Sequence, residues 1–62
     1  MSKAFLLMDE RAMDPDQFGD ATVYSSAYSL AEARRDRDAA GCGVIVRVTE
    51  RNGLYEWQEY IP

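Results

Sequence analysis

Histidine is absent from this sequence, and cysteine, proline and long apolar runs are scarce. The absence of histidine removes the commonest zinc ligand and the commonest general base near neutral pH. A single cysteine, Cys42, excludes an internal disulfide and fits a reducing compartment best. The longest unbroken apolar run, residues 4–8, is too short to cross a bilayer. From these absences we expect a cytoplasmic protein with no membrane segment.

The charge balance is acidic, with 11 acidic against seven basic residues and a net charge of −4. This composition disfavours direct binding to nucleic acid, because phosphate contacts need a basic surface. It permits an acidic surface that engages a basic nucleic-acid-binding protein. The plainer interpretation is that the charge only keeps a small domain soluble. At 62 residues we expect one domain, residues 1–62, that buries only about 60% of its unfolded surface and benefits from a partner.

Local patterns predict two strands, a helix and a hairpin. Apolar residues 4–8 favour a first strand covered on both faces, and the β-branched and aromatic segment 21–26 favours a second. Ser29 and Glu32 fit a capping box, and Gly41 is a typical stop, which predicts a helix over residues 30–40. Asn52-Gly53 between two strand-like segments predicts a two-residue type I′ turn. The expected fold is therefore α+β, with one helix on a small antiparallel β-β-α-β-β sheet.

The register of the hairpin predicts which sheet face the helix covers. A regular ladder places Val48 opposite Trp57, Val46 opposite Glu59 and Val44 opposite Ile61. We expect the helix to cover the face with the valines, Trp57 and Ile61. Its inner stripe is predicted from these residues: Leu30, Ala33, Ala40 and the stem of Arg37. One helix leaves the opposite face open, so we expect an apolar contact surface there, near Ile45, Leu54 or Tyr60.

The segment DERAMDPDQFGD, residues 9–20, holds five carboxylates and one arginine, and Pro15 and Gly19 argue against regular structure in it. Asp14, Asp16 and Gly19 match three positions of a calcium loop, but Phe18 and Ser25 occupy positions that require oxygen ligands. We therefore expect no metal and no cofactor.

Catalysis is also unexpected. A general base would have to be a carboxylate, a lysine or a thiolate with a strongly shifted pKa. Cys42 lies between Gly41 and Gly43, which favours a tight turn and not a nucleophile. The expectation is a protein that is not an enzyme.

The segment SLAEARRDRDAAGCGVIVRVTERNGLYEWQEY resembles small anti-CRISPR proteins of phages and mobile elements. The likeness rests on a leading strand, a capped helix opening Ser-Leu, a valine-rich strand, Asn-Gly-Leu and an aromatic strand. The resemblance implies a phage protein in the host bacterial cytoplasm that inhibits a type I CRISPR surveillance complex and blocks recognition of target DNA. The implied partner is a DNA-binding subunit, whose channels are lined with lysine and arginine.

This hypothesis assigns the contact to an acidic, DNA-mimicking surface, with Tyr60 as an aromatic anchor. The candidate residues are Asp9, Glu10, Asp14, Asp16, Asp20, Glu56, Glu59 and Tyr60. The alternative is a small antitoxin-like or regulatory module that forms a homodimer through its open sheet face. The two differ in which change abolishes association, lysine at Asp14 and Asp16 or glutamate at Leu7.

Overall fold

The computed structural model describes residues 2–62 and confirms the α+β class and the β-β-α-β-β order. Four antiparallel strands form one sheet in the order β2-β1-β3-β4. The elements are β1 Ser2–Met8, β2 Val23–Ala27, α1 Leu30–Ala40, β3 Val44–Arg51 and β4 Leu54–Ile61. Two short 3₁₀ helices, Glu10–Met13 and Phe18–Asp20, occupy the β1–β2 connection, where no regular structure was predicted. The edges of the sheet are β2 and β4.

Helix α1 begins and ends where the sequence predicted. The amide of Glu32 donates to Ser29 Oγ at 3.2 Å, and Gly41 ends the helix with φ 76°. Ala33 is buried, and Arg37 Nε donates to the carbonyl of Gly43 at 3.0 Å. The predicted inner position of Ala40 is wrong, because this residue is exposed at the end of the helix.

The β3–β4 hairpin has the predicted turn but not the predicted register. Asn52 and Gly53 both have positive φ, at 54° and 80°, as a type I′ turn requires. Val48 lies opposite Trp57, but Gln58 is then an extra residue in β4, so Glu59 lies opposite Arg47. This bulge moves Ile61 opposite Ile45, one residue away from the predicted partner Val44.

The sheet is covered on both faces, which corrects the expected open face. The helix face carries Leu7, Ala27 and Ile45, which pack with Ala33 of α1. The loop face carries Ala4, Leu6, Met8, Val46 and Val48, which pack with Ala12, Phe18, Ala21 and Trp57. The valine and tryptophan face is therefore covered by the β1–β2 connection and not by the helix. The sheet divides the core into two layers, one under the helix and one under the β1–β2 connection.

The expected apolar patch on an open face is also absent from the part of the chain that the structure describes. Ile45 is only 4% exposed, because it lies under the helix. Tyr60 lies opposite Val46 and is half-buried. Only Leu54, at the hairpin end, is strongly exposed as predicted, at 74%.

Candidate functional site

The negative charge of the protein is concentrated in one segment. Residues 9–20, termed the acidic loop below, contain five of the 11 acidic residues and one of the seven basic ones. The loop therefore carries a net charge of −4, and the rest of the chain, with six residues of each sign, is neutral. The net negative charge of the protein therefore comes from this loop.

The first residue of the acidic loop, Asp9, is hydrogen-bonded to Thr22, two residues past the other end of the loop. The Asp9 carboxylate accepts from the amide of Thr22 at 2.7 Å and from the amide of Arg11 at 2.9 Å. The amide of Asp9 also donates to the Thr22 carbonyl at 3.1 Å. The Arg11 guanidinium binds both Asp9 oxygens, at 3.3 and 3.2 Å. These bonds join the start of the loop to the residue that precedes β2, Thr22.

These bonds change the acidity of Asp9. The hydrogen bond from the Thr22 amide, together with those from Arg11, lowers the pKa of Asp9 from 3.8 to about 2. Hydrogen bonds to the charged form of a carboxyl group favour that form, which is the dominant cause here. The same contact raises the pKa of Arg11. Asp9 is therefore a structural carboxylate that is charged at neutral pH.

The middle of the acidic loop is held against the sheet by a bond from the last strand. Trp57 Nε1 donates to the carbonyl of Ala12 at 2.9 Å, and Ala12 is fully buried. Phe18 packs on the same cluster and holds the second 3₁₀ helix. This hydrogen bond holds the loop against the sheet. The Ala12 carbonyl is shielded from water, and a buried carbonyl needs a hydrogen-bond donor. The loop is therefore packed against the sheet through Ala12 and Phe18.

Four of the five predicted loop carboxylates remain free of this packing. Glu10, Asp14, Asp16 and Asp20 are exposed. Of these, Asp14 accepts from the amide of Asp16 at 2.9 Å, an Asx turn that shapes the tip of the loop. Asp9 differs from them, because its side chain is only 16% exposed and is occupied by the fastening bonds. The solvent-facing negative charge of the loop therefore comes from the four exposed carboxylates.

The structure does not bring the other predicted residues into this group. Glu56 lies opposite Thr49 and Glu59 opposite Arg47, which places both on the helix face of the sheet. Glu59 is partly neutralised there by Arg47 at 3.4 Å. Tyr60 pairs with Val46 of the loop face, but at the β4 edge. The sheet itself separates the two glutamates from the acidic loop.

The sequence predicted the charge of the loop but not the hydrogen bond from Trp57 that holds the loop on the sheet. The bond from Trp57 to Ala12 spans 45 residues of sequence, and no local pattern announces it. A signal existed for Asp9, because aspartate is a preferred N-cap and it precedes the first 3₁₀ helix. The bulge at Gln58 has no such signal.

Sites for chemistry were sought over residues 2–62. No group of three or more His, Cys, Asp or Glu side chains is arranged to hold a metal ion there, and no polar or charged residue of this range is buried. Cys42 is exposed. The surface hollows are open, with volumes of about 320 to 440 Å³. None of the helices in this range has the length and apolar character needed to span a membrane.

Comparisons of the chain with protein-family models, with curated proteins and with solved structures gave no match.

Proposed function

We propose that this protein is a non-enzymatic inhibitor that inserts its acidic loop into a cationic nucleic-acid channel of a larger protein assembly. The observation that carries the proposal is the concentration of the whole net charge of −4 in one loop that is clamped at its ends and middle. The proposed target is a CRISPR surveillance complex in the bacterial cytoplasm, and the proposed effect is loss of target DNA recognition. The resemblance of residues 29–60 to small anti-CRISPR proteins supports this choice of target.

The clamped loop suits such a role because its carboxylates are held before binding. A surface fixed in advance loses little conformational freedom on association. Glu10, Asp14, Asp16 and Asp20 occupy a stretch of 11 residues in a folded cap, so several cationic side chains of one groove can reach them together. DNA presents one phosphate charge per about 1.7 Å of helix axis, and grooves that bind it carry a correspondingly dense positive field. A dense patch of carboxylates can bind the same basic side chains in place of the DNA phosphates.

The mode of binding has a salt signature. Charge pairs at an interface increase the association rate and the specificity more than they increase the affinity. Screening shortens their range to about 10 Å at 0.1 M salt. We therefore expect the association rate constant to fall steeply as salt is raised, and the dissociation rate constant to change less.

Binding to purified type I surveillance complexes, followed by target DNA binding, tests the proposal. The double variant Asp16→Lys/Asp20→Lys reverses two exposed charges for which no side-chain hydrogen bond is found among residues 2–62. We expect it to weaken complex binding by about 10- to 100-fold and to restore DNA binding. The matched control is Glu32→Lys/Asp38→Lys, which makes the same charge change on the exposed surface of α1. We expect the control to bind within about threefold of the parent protein.

Two results would contradict the proposal. One is no binding to any type I complex at low salt. The other is an equal loss of binding in the double variant and in the helix control, which would make total charge the cause and not the loop. Thermal unfolding of both variants checks that they are folded.

The alternative was a regulatory module that dimerises through an open sheet face, and the sheet has no open face. Both faces of the sheet are covered, and Leu7 is only 2% exposed under the helix. A glutamate at Leu7 would therefore disrupt the core and would not report on a dimer. Such a module would have to associate through another surface.

A further inference from the structure

The chain has a single asparagine, Asn52, and glycine follows it. Both residues are exposed at the tip of the β3–β4 hairpin. The last pair of the ladder is Arg51 with Leu54, so the two turn residues lie beyond it. Among residues 2–62, no hydrogen bond is found from the Asn52 side chain or from the Gly53 amide. The side-chain carbonyl of Asn52 and the backbone nitrogen that follows it are therefore both free to react.

Glycine after asparagine leaves this backbone nitrogen unhindered. A side chain on the following residue would shield the nitrogen from the asparagine carbonyl, and Gly53 has none. The surroundings add no obstacle, since even a Cβ built at Gly53 would meet no atom within 4 Å. The same two residues are those that a type I′ turn selects, because both have positive φ, at 54° and 80°. The residues that form the turn are thus also a pair that cyclises readily.

Cyclisation requires Asn52 to leave its turn geometry, and the hairpin tip can open in this way without unfolding of the core. Residues 51–56 are exposed, and they belong to a hairpin whose outer strand is an edge of the sheet. Exposed segments of this kind open locally at a lower free energy than the core does. The buried residues of β3, Ile45, Val46 and Val48, lie farther from the turn. Opening of the tip therefore leaves the rest of the sheet in place.

We propose that Asn52 is a site of spontaneous deamidation through a cyclic imide, with water as the co-reactant. The Gly53 nitrogen gives its proton to a solvent base and bonds to Asn52 Cγ, and the side-chain nitrogen leaves as ammonia. Water then adds to one of the two imide carbonyls and breaks its bond to the ring nitrogen. Cleavage at Cγ gives aspartate, whereas cleavage at the main-chain carbonyl gives isoaspartate, in which Cγ carries the bond to Gly53. One water molecule replaces one ammonia, and nothing is oxidised or reduced.

The two products differ in their effect on the hairpin. Aspartate followed by glycine is itself a type I′ pair, so the aspartate form keeps the turn and adds one negative charge. Isoaspartate inserts one extra carbon into the main chain of a turn whose length sets the strand register. The register affected is that of the four pairs between the turn and the bulge, which begin at Arg51–Leu54 and end at Val48–Trp57.

The last of these pairs is connected to the acidic loop. The Trp57 indole donates to the Ala12 carbonyl, so a disturbed register weakens the contact that holds the loop on the sheet. The isoaspartate form is therefore expected to be less stable than the parent protein, with more frequent opening of the first 3₁₀ helix. This inference does not depend on the proposed inhibitor function, because the chemistry needs water and no partner protein.

Storage of the purified protein in mildly alkaline buffer, followed by mass spectrometry and peptide mapping, tests the proposal. We expect two new species modified at Asn52, of which an isoaspartyl methyltransferase labels one. The control is Asn52→Gly, because two glycines also form a type I′ turn but have no side-chain amide to lose. We expect the control to keep its mass. A wild-type mass that stays unchanged overturns the site. So does an equal mass gain in the control, since Gln17 or Gln58 would then be its source.

Thermal unfolding of the separated products tests the effect on the hairpin. We expect the isoaspartate form to melt at least about 5 °C below the unaged protein, with faster exchange of the Trp57 indole proton. Asn52→Asp carries the same charge in an ordinary main chain, and we expect it to melt within about 3 °C of the parent protein. An isoaspartate form that melts together with Asn52→Asp overturns the proposed effect on the register.

Discussion

Replacing Trp57 by phenylalanine removes a hydrogen bond that ties the middle of the acidic loop to the sheet. The indole Nε1 donates to the Ala12 carbonyl at 2.9 Å, and Ala12 is fully buried. Phenylalanine keeps an aromatic ring against the loop-face cluster but has no hydrogen-bond donor. The carbonyl of Ala12 then loses its partner in a place that water reaches poorly.

The expected cost follows from two contributions. A buried carbonyl without a partner costs about 1–3 kcal/mol. The smaller ring loses apolar contact worth roughly 1 kcal/mol for a half-buried side chain. Together they lower the free energy of unfolding by about 2–4 kcal/mol, and a domain of this length has roughly 3–9 kcal/mol in total. The midpoint of thermal unfolding is expected to fall by about 15–30 °C.

Urea unfolding followed by circular dichroism measures this loss, since Trp57 is the single tryptophan and its fluorescence disappears with it. Tyr55→Phe is the control, because it removes a hydroxyl from an exposed aromatic of the same strand. We expect the control to stay within about 0.5 kcal/mol of the parent protein. If Trp57→Phe also stays within that limit, the bond does not hold the loop. Amide exchange should then show no faster opening of the first 3₁₀ helix.

Three further predictions concern other parts of the fold. Because the pKa of Asp9 is about 2 in the folded protein against 3.8 ordinarily, its stabilising contribution is present above about pH 4 and is lost between pH 4 and 2. Asp9→Asn should therefore be less stable than the parent at pH 7 in urea titrations, with a difference that shrinks toward pH 2; a constant difference would contradict this cause. Gly43→Ala should cost at least about 2 kcal/mol, because φ is +102° and an added Cβ meets Leu7 Cδ1 at 3.0 Å. Its control, Gly19→Ala, has no atom within 4 Å of the added Cβ and should change stability by less than about 1 kcal/mol. Ser29→Ala removes the helix cap and should cost about 1 kcal/mol, with faster amide exchange confined to the first turn of α1.

Prediction from sequence succeeded where the signal is local. The helix over residues 30–40 and the Asn52-Gly53 turn depend on side chains and backbone angles within a few residues, and both are confirmed. The β-β-α-β-β order followed from these elements. Second-strand bounds were less accurate, because the segment 21–26 was predicted and the strand is Val23–Ala27.

Prediction failed where two segments distant in sequence compete for one surface. Both faces of the β3–β4 hairpin are apolar in part, so either could have received the helix. The bulge at Gln58 moves Ile61 to the face of Ile45, and the helix packs there. The β1–β2 connection covers the valine face, where its residues Ala12 and Phe18 pack. For the candidate site, the sequence identified the loop carboxylates but not that Glu56 and Glu59 lie across the sheet from them.

The sequence alone determined that the net charge belongs to residues 9–20 and that the chain is built from these strands and this helix. Tertiary structure decided that the charged segment is a cap packed on the sheet, because the donor that holds it, Trp57, comes from the far end of the chain. It also decided which carboxylates are available, since Asp9 is engaged by Thr22 and Arg11 and the four others face solvent. Charge is a property of composition, but its presentation depends on long-range contacts that satisfy buried polar groups.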